Sequence, residues 1–553
     1  MQSQRRQPRP SVMISLLDYG AGNVRSLRNA ITRLGYEVRD VRAPEDILAA
    51  ERLLFPGVGA FGAAMARLRD QGFVEPLLDY LRADRPFLGI CIGLQCLFEG
   101  SDESPEVAGL GLIPGRVARF PSQALSVPHM GWNGVRVCRD AELFAGLTAD
   151  RFYFVHSYCA RPDAANADWL LAETDYGDAF VSAVQHGQVI AVQFHPEKSG
   201  PAGLAFLQRF LTGTVAVAPA FAPRILSAPE AAKTPHPPAP PTRLAKRVIA
   251  CLDVRSNDAG DLVVTKGDQY DVREGGEVRN LGKPVELAAR YYAEGADEIT
   301  FLNITAFRDF PLRDQPMLEV LRRTSEQVFV PLTIGGGIRA FTDADGNSYS
   351  ALDIADEYFR SGADKISIGS DAVYTVEQVR ARGADGGSAI EQIAARYGNQ
   401  AVVISVDPRR VYVSGPEATE RPVIETAHPG PNGERFCWFQ CTVSGGREGR
   451  DVDAVELART CEALGAGEIL LNSIDRDGSG SGFDLELVAA VRAAVRIPVI
   501  ASSGAGIPEH FVEVFTATGA DAALAAGIFH RREVPIADVK TALAEADIPV
   551  RIV

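Results

Sequence analysis

Cys91 sits where a thiol can do chemistry. In RPFLGICIGLQCLFEG an apolar run stops at Gly89-Ile90, Cys91 follows, and Ile92-Gly93-Leu94-Gln95 opens a helix. The flanking glycines permit a tight turn and close approach of a substrate. The helix N-terminus favours a thiolate through its dipole and free N–H groups. A single cysteine in an apolar stretch is more commonly an inert core residue. Further along, however, VIAVQFHPEKSG places His195 at a strand end with Glu197 two residues on. A histidine can take a thiol proton and return it to a leaving amine, while a carboxylate fixes the ring tautomer. The predicted chemistry is attack by Cys91 on an acyl carbon with release of an amine.

A second set of residues lies in the later half of the chain. Asp253 in ACLDV and Asp407 in ISVDP each follow an apolar run, which puts a carboxyl at the end of a strand. Singly, each reads as a helix cap or turn former. The sequence around them repeats, however: GADEITFLNITA resembles GAGEILLNSIDR, GADKISIGS resembles GADAALAAG, and LTIGGGI resembles VIASSGAGI. Equivalent positions in two half-repeats argue for a paired acid and base, one of them needing a raised pKa to hold a proton near neutrality. The same two-fold logic gives two Gly-rich turns. One holds Gly336 and Gly337 with Ser367 and Ser370, the other Ser503 and Gly504 with Ala526 and Gly527. Free N–H groups at helix starts bind phosphate, so two such cradles suggest a substrate phosphorylated at both ends. Arg247, Glu298, Lys365 and Glu468 each begin an apolar strand (AKRVI, ADEIT, ADKIS, AGEIL), at the opposite face. They are either a solvated rim of charges or a ring of mutual ion pairs.

The elements that must position these groups follow from the patterning. Two copies of strand–helix–strand–helix units, with apolar strands such as VVISV and PVIAS, make eight parallel strands and predict a (β/α)₈ TIM barrel with a half-barrel repeat over residues 244–553. Polar insertions near 341–350 and 410–450 account for the drift between repeats. Residues 12–213 alternate apolar strands with amphipathic helices, as in an open α/β sheet whose active groups lie at strand carboxyl ends. A Pro/Ala-rich linker at 214–243 separates them, and 1–11 is an N-terminal extension.

Composition narrows the partners. A chain of 553 residues exceeds one hydrophobic core, and a net charge of -15 disfavours nucleic acid. No apolar run approaches the roughly 20 residues of a membrane span. Eight cysteines without CxxC pairs read as reduced thiols, with no metal site and no cofactor. The basic start MQSQRRQPRP runs into a strand without a secretory apolar region, so a cytoplasmic location is expected.

GICIGLQ and FHPEKS resemble the active-site motifs of class I glutamine amidotransferases. LDYGAGNVRSL, PGVGAFG, PHMGWN and YFVHSY are similar, over residues 12–213, to the glutaminase part of the imidazole glycerol phosphate synthase family. LAKRVIACLDV, LTIGGGI, LLNSIDRDGSGSGFD and PVIASSGAG resemble its cyclase part over residues 244–553. The resemblance implies a single-chain, eukaryotic-type fusion that needs no separate glutaminase subunit. It implies that Cys91 attacks glutamine, that His195 is base and acid, and that Glu197 orients it. Backbone N–H groups near Gly57 and Gly59 would stabilise the oxyanion, and Gln95 would contact glutamine. In the barrel it adds Asp477 and Gly478 to the substrate-binding set, puts Lys266 on the first flexible loop, and makes the charged ring an ammonia gate. The implied reaction delivers ammonia to a bisphosphorylated ribotide, phosphoribulosyl-formimino aminoimidazole carboxamide ribotide, giving imidazole glycerol phosphate and aminoimidazole carboxamide ribotide. Ser503 and Asn303 depart from the bacterial pattern of Gly and Asp. His156 and His186 read as structural. The competing reading is a glutamine-sensing protein with a phosphoribosyl isomerase-type barrel, which the intact Cys91, His195 and Glu197 disfavour.

Overall fold

A computed structural model describes residues 12–18, 20, 23–57, 59–121, 125–213, 241–257, 262–265, 273–274, 277–278, 280–304, 312, 315–343 and 345–553. The expected extension at 1–11, most of the linker and Lys266 lie outside these residues. By contact the chain forms two units. One spans 1–119, 133–154 and 158–243, and the other 120–132, 155–157 and 244–553.

Among the described residues the main sheet of the first unit has eight strands: β1 (Ile14–Leu16), β2 (Val38–Asp40), β3 (Arg52–Phe55), β4 (Phe87–Ile90), β5 (Arg136–Val137), β6 (Leu170–Tyr176), β7 (Asp178–His186) and β8 (Val189–Val192). Their order is β2-β1-β3-β4-β8-β7-β6-β5. The first five run parallel and the rest antiparallel, so the sheet is mixed. The central strands β3, β4 and β8 are buried along almost their whole length, which is why they read as unbroken apolar runs. At β4 and β8, Ile90 pairs with Val192, so chain leaving either strand emerges at the same sheet edge. Cys91 and His195 follow these two ends.

The second unit is a closed parallel barrel: β9 (Arg247–Ser256), β10 (Glu298–Asn303), β11 (Leu332–Gly335), β12 (Lys365–Ile368), β13 (Val402–Val406), β14 (Glu468–Asn472), β15 (Val499–Ser502) and β16 (Ala522–Ala525), with β16 pairing back onto β9. Alternation along β9 sends Arg247, Ile249, Cys251 and Asp253 inward, from the base to the mouth. Ile249, Cys251, Val403, Leu470, Ile500 and Leu524 pack as an apolar interior between the two ends.

The polar segments also fold. Residues 341–349 form a short hairpin, Phe341–Thr342 against Ser348–Tyr349. After β13, strands Pro408–Val413, Ile424–Glu425, Phe436–Val443 and Glu448–Asp453 make a four-stranded antiparallel sheet. It is joined to the barrel by buried Arg410, which bonds Asp484 Oδ1 at 2.5 Å and Glu486 Oε2 at 2.7 Å. Asp484 also caps the helix Leu485–Ala494 by accepting from the Leu487 amide at 3.1 Å.

Candidate active sites

In the first unit the turn from β4 into the helix Ile92–Gln95 puts Cys91 at φ 53°, ψ −103°, a left-handed conformation rare for a residue with a side chain. Neighbouring glycines make this turn possible. A Cβ on Gly93 would lie 2.2 Å from the Phe55 carbonyl oxygen, and one on Gly57 would lie 2.4 Å from Ile92 Cβ. The Cys91 amide donates to the Val192 carbonyl at 2.7 Å, fixing the elbow to β8. Cys91 is 5% exposed. His195 Nδ1 lies 2.8 Å from Glu197 Oε1, which leaves Nε2 as the working nitrogen. Burial alone would lower the imidazole pKa, but the Glu197 carboxylate and Cys91 carry it well above the usual histidine range. The structure therefore brings Cys91, His195 and Glu197 together. Gln95 is buried beside them, its Nε2 donating to the Tyr158 carbonyl at 3.0 Å and to Gln193 Oε1 at 3.1 Å. Gln193 in turn donates to Cys91 Sγ at 3.4 Å. Gln193 was absent from the sequence reading, yet it lies two residues before His195 on the same strand run, and period-two alternation would have found it. Gly57 packs against the start of the Cys91 helix and Gly59 adopts φ 114°, while Val58 between them lies outside the described residues. His156 is buried against His129, with His129 Nδ1 and His156 Nε2 3.2 Å apart, and His186 packs against Trp169 with the rings tilted by 32°.

The barrel mouth opens into a cavity of about 870 Å³. Asp253 and Asp407 both line it, as do Gly336, Gly337, Ser367, Ser370, Asp477, Gly478, Ser503, Gly504, Ala526 and Gly527. Burial raises the Asp407 pKa, against a 2.8 Å hydrogen bond from Asn472 Nδ2 that lowers it, and nearby Asp477 adds to the rise. In the first cradle Gly336 and Gly337 have φ 91° and 76°, and a Cβ on Gly336 would meet the Asn303 carbonyl oxygen at 2.0 Å. The helix Ser370–Arg382 starts beside them. In the second, Gly504 comes so close to Gly482 that a Cβ would lie 2.2 Å from its carbonyl oxygen, and the helix Gly527–His530 is a single turn. Ser503 holds φ 74°, the conformation a glycine would adopt without strain. The sequence reading missed Asn472 and the cations Arg255, Arg339 and Arg447 on the cavity wall. Asn472 lies on the inward period of Glu468 and Leu470, and Arg255 on that of Cys251 and Asp253 at the end of β9; Arg339 and Arg447 lie in turns with no repeat to mark them.

At the base, Arg247 contacts Glu298 at 2.9 Å and Glu468 at 2.6 Å, and Lys365 Nζ contacts the same two carboxylates at 2.7 Å each. All four are buried. The ring is closed and electroneutral, so each charge meets two of opposite sign where an unmatched one would be costly. Burial alone would raise the Glu298 pKa, yet Lys365 and Arg247 hold it below the usual carboxylate range.

The chain matches two family models, glutamine amidotransferase class-I over residues 15–213 and histidine biosynthesis protein over residues 247–535. It is 58% identical to the chloroplastic imidazole glycerol phosphate synthase hisHF of Arabidopsis thaliana, over 98% of this chain and 90% of the relative. The chain belongs to the imidazole glycerol phosphate synthase family. It is also 56% identical to the hisHF protein of Schizosaccharomyces pombe, over 98% of this chain and all of that one, and 54% identical to that of Emericella nidulans, over 97% and 98%. The family's two enzyme parts are thus present in one chain, as a glutamine amidotransferase followed by a TIM barrel. Among the described residues no helix is long and apolar enough to cross a membrane.

Proposed function

We propose that this enzyme hydrolyses glutamine to glutamate and ammonia, passes the ammonia through the barrel, and adds it to phosphoribulosyl-formimino aminoimidazole carboxamide ribotide. Imidazole glycerol phosphate and aminoimidazole carboxamide ribotide are the products. The observation that carries the reading is the pairing, in one chain, of a cysteine elbow served by a His–Glu pair with a barrel mouth that sets two carboxylates between two glycine cradles. Cys91 Sγ attacks the carboxamide carbon. His195 takes the thiol proton and gives it to the departing ammonia, and water then cleaves the thioester to glutamate. Backbone N–H groups near Gly57 and Gly59 and after Cys91 receive the oxyanion. Gln95 shapes the glutamine pocket, its amide being committed to Tyr158 and Gln193. The ring of Arg247, Glu298, Lys365 and Glu468 is the gate, and the apolar interior above it suits neutral ammonia.

At the mouth the two cradles hold the ribotide's phosphates, with Asp477 and Gly478 beside the second, and Lys266 is a further substrate-binding residue by the family resemblance. Asp407, whose carboxyl burial favours the protonated form, is the acid, and Asp253 is the base. No metal or cofactor takes part in these steps. The domain limits that suit this division are 12–213 and 244–553. The eight cysteines, none of them in a disulfide, fit a cytoplasmic location; the chloroplastic relative makes an organelle the alternative, which fractionation would decide.

The test is Cys91→Ala, assayed for both products. Glutamine-dependent turnover should vanish while turnover with ammonium salts at high pH persists. Loss of both in a folded variant would overturn the division of labour.

A further inference from the structure

The four-stranded sheet after β13 reaches the rim of the mouth. Its last hairpin turns through Ser444, Gly445 and Gly446, at φ 57°, 67° and 80°, a run of left-handed residues that makes a compact tip. Three sets of bonds fix that tip to the barrel. Thr442 donates its amide and its hydroxyl to the Asp407 carbonyl, at 3.1 and 2.7 Å. Arg450 grips the Glu377 carboxylate at 2.8 and 2.9 Å. The Ser444 amide donates to Ser370 Oγ at 3.2 Å, so the tip touches the helix that starts at the first cradle.

Two groups near this contact lack partners. Arg447, just past the turn, is exposed, lines the cavity, and makes no hydrogen bond or ion pair among the described residues. Two other arginines of the barrel rim are matched, Arg450 to Glu377 and Glu448, and Arg531 to Glu533. Ser367 lines the same cavity from β12, only 2% exposed, and its hydroxyl has no partner among the described residues. A buried hydroxyl left unmatched is costly unless a ligand satisfies it, and an unpaired guanidinium beside it specifies an anionic ligand.

We propose that Arg447 is a substrate-binding residue that closes over the ribotide phosphate held by Gly336, Gly337, Ser367 and Ser370. The inference rests on the cradle reading given above. A guanidinium suits the task because its planar fork donates two parallel hydrogen bonds to phosphate oxygens. The anchored tip holds that fork near the cradle before substrate arrives, and the Ser370 contact lets one turn position both a hydroxyl and a cation.

The experiment measures KM and kcat for the ribotide with ammonium as nitrogen donor, so that glutaminase is bypassed, in the parent enzyme and in Arg447→Ala, Arg447→Lys and Ser367→Val. Arg447→Ala should raise KM by roughly tenfold, as loss of one charge-assisted contact at an accessible phosphate does, with kcat within about twofold. Arg447→Lys should recover part of the loss. The gap between parent and alanine variant should narrow as ionic strength rises. Ser367→Val, which removes a hydroxyl and adds bulk inside the cradle, should raise KM on its own. If Arg447→Ala leaves KM unchanged while Ser367→Val raises it, the arginine has no such role and the cradle stands. If neither variant moves KM, the cradle reading falls and this inference with it. A lower melting temperature and lower kcat for Arg447→Ala, without a change in KM, would show a structural residue and overturn the proposal.

Discussion

The elbow at Cys91 and the mouth of the barrel solve the problem of positioning in opposite ways. At the elbow one turn does nearly everything. A 5%-exposed cysteine is held at left-handed φ, glycines on neighbouring segments leave no room for a Cβ, and its histidine and carboxylate sit two residues apart. At the mouth the work is shared among loops from many strands around about 870 Å³, with two cradles built from equivalent halves. A small planar amide needs one nucleophile placed to within a fraction of an ångström. A long, doubly charged substrate needs many moderate contacts, and no one of them must be ideal. This is why the mouth accommodates Ser503 at φ 74° and an added sheet on its rim, while the residues packed on Cys91 have no such latitude.

The contrast can be broken most forcefully at the two aspartates, where the mouth relies on single groups. Asp253→Asn and Asp407→Asn should each lower imidazole glycerol phosphate formation by about 10²–10⁴-fold with glutamine or ammonium, because an amide cannot shuttle a proton. Product assays with both nitrogen donors check this, and near-normal turnover by either variant would remove that residue from the mechanism. At the base of the barrel, Lys365→Ala leaves Glu298 and Glu468 sharing one cation, and denaturant unfolding should show a loss of about 3–5 kcal/mol. A loss below about 1 kcal/mol, the range of surface pairs, would mean that the ring is wetter than its burial indicates.

A smaller effect separates function from stability. Burial raises the folded-state pKa of Asp407, so the carboxyl stabilises the fold fully only below its unfolded pKa, and that contribution is lost as pH rises through the raised folded value. Asparagine stays neutral throughout and still accepts the Asn472 bond. Asp407→Asn should therefore melt above the parent at neutral pH, the difference shrinking as the solution is made more acid. A constant difference across pH would show that ionisation is not its cause. The smallest effect is at Ser503→Gly, which should relieve backbone strain and stabilise by about 1 kcal/mol or less, read from the denaturant midpoint. Destabilisation there would mean that the serine side chain contributes more than its backbone strain removes.

What could be read from the chain was whatever follows from strand ends and repeats. An apolar run tells where a strand stops, which located Cys91, His195, Asp253 and Asp407, and the starts of such runs located the four residues of the ring. Period-two alternation held more than was taken from it, since Gln193 and Asn472 lie on the inward phase of strands already identified. Arg447 was not legible because it sits in a segment without a counterpart in the other half-barrel, where neither repeat nor periodicity marks a direction. The mixed sheet of the first unit was also hidden, because the buried centre of antiparallel β7 and the whole of β8 are alike mostly apolar, and an apolar stretch does not mark strand direction.

Arg410 shows how an added segment becomes indispensable. Asp484 is almost wholly buried, caps the helix behind the second cradle, and has its charge matched by a guanidinium that belongs to the added sheet. Excising residues 408–453 would not restore a simpler barrel. It would strand a carboxylate inside protein, at a cost of about 3–5 kcal/mol, within reach of a domain's whole margin of stability. A lineage that acquires such a pair has passed through a narrow gate: shedding the sheet requires Asp484 to become a neutral cap such as asparagine first, a change that leaves buried Arg410 with Glu486 as its one remaining carboxylate while the sheet is still there.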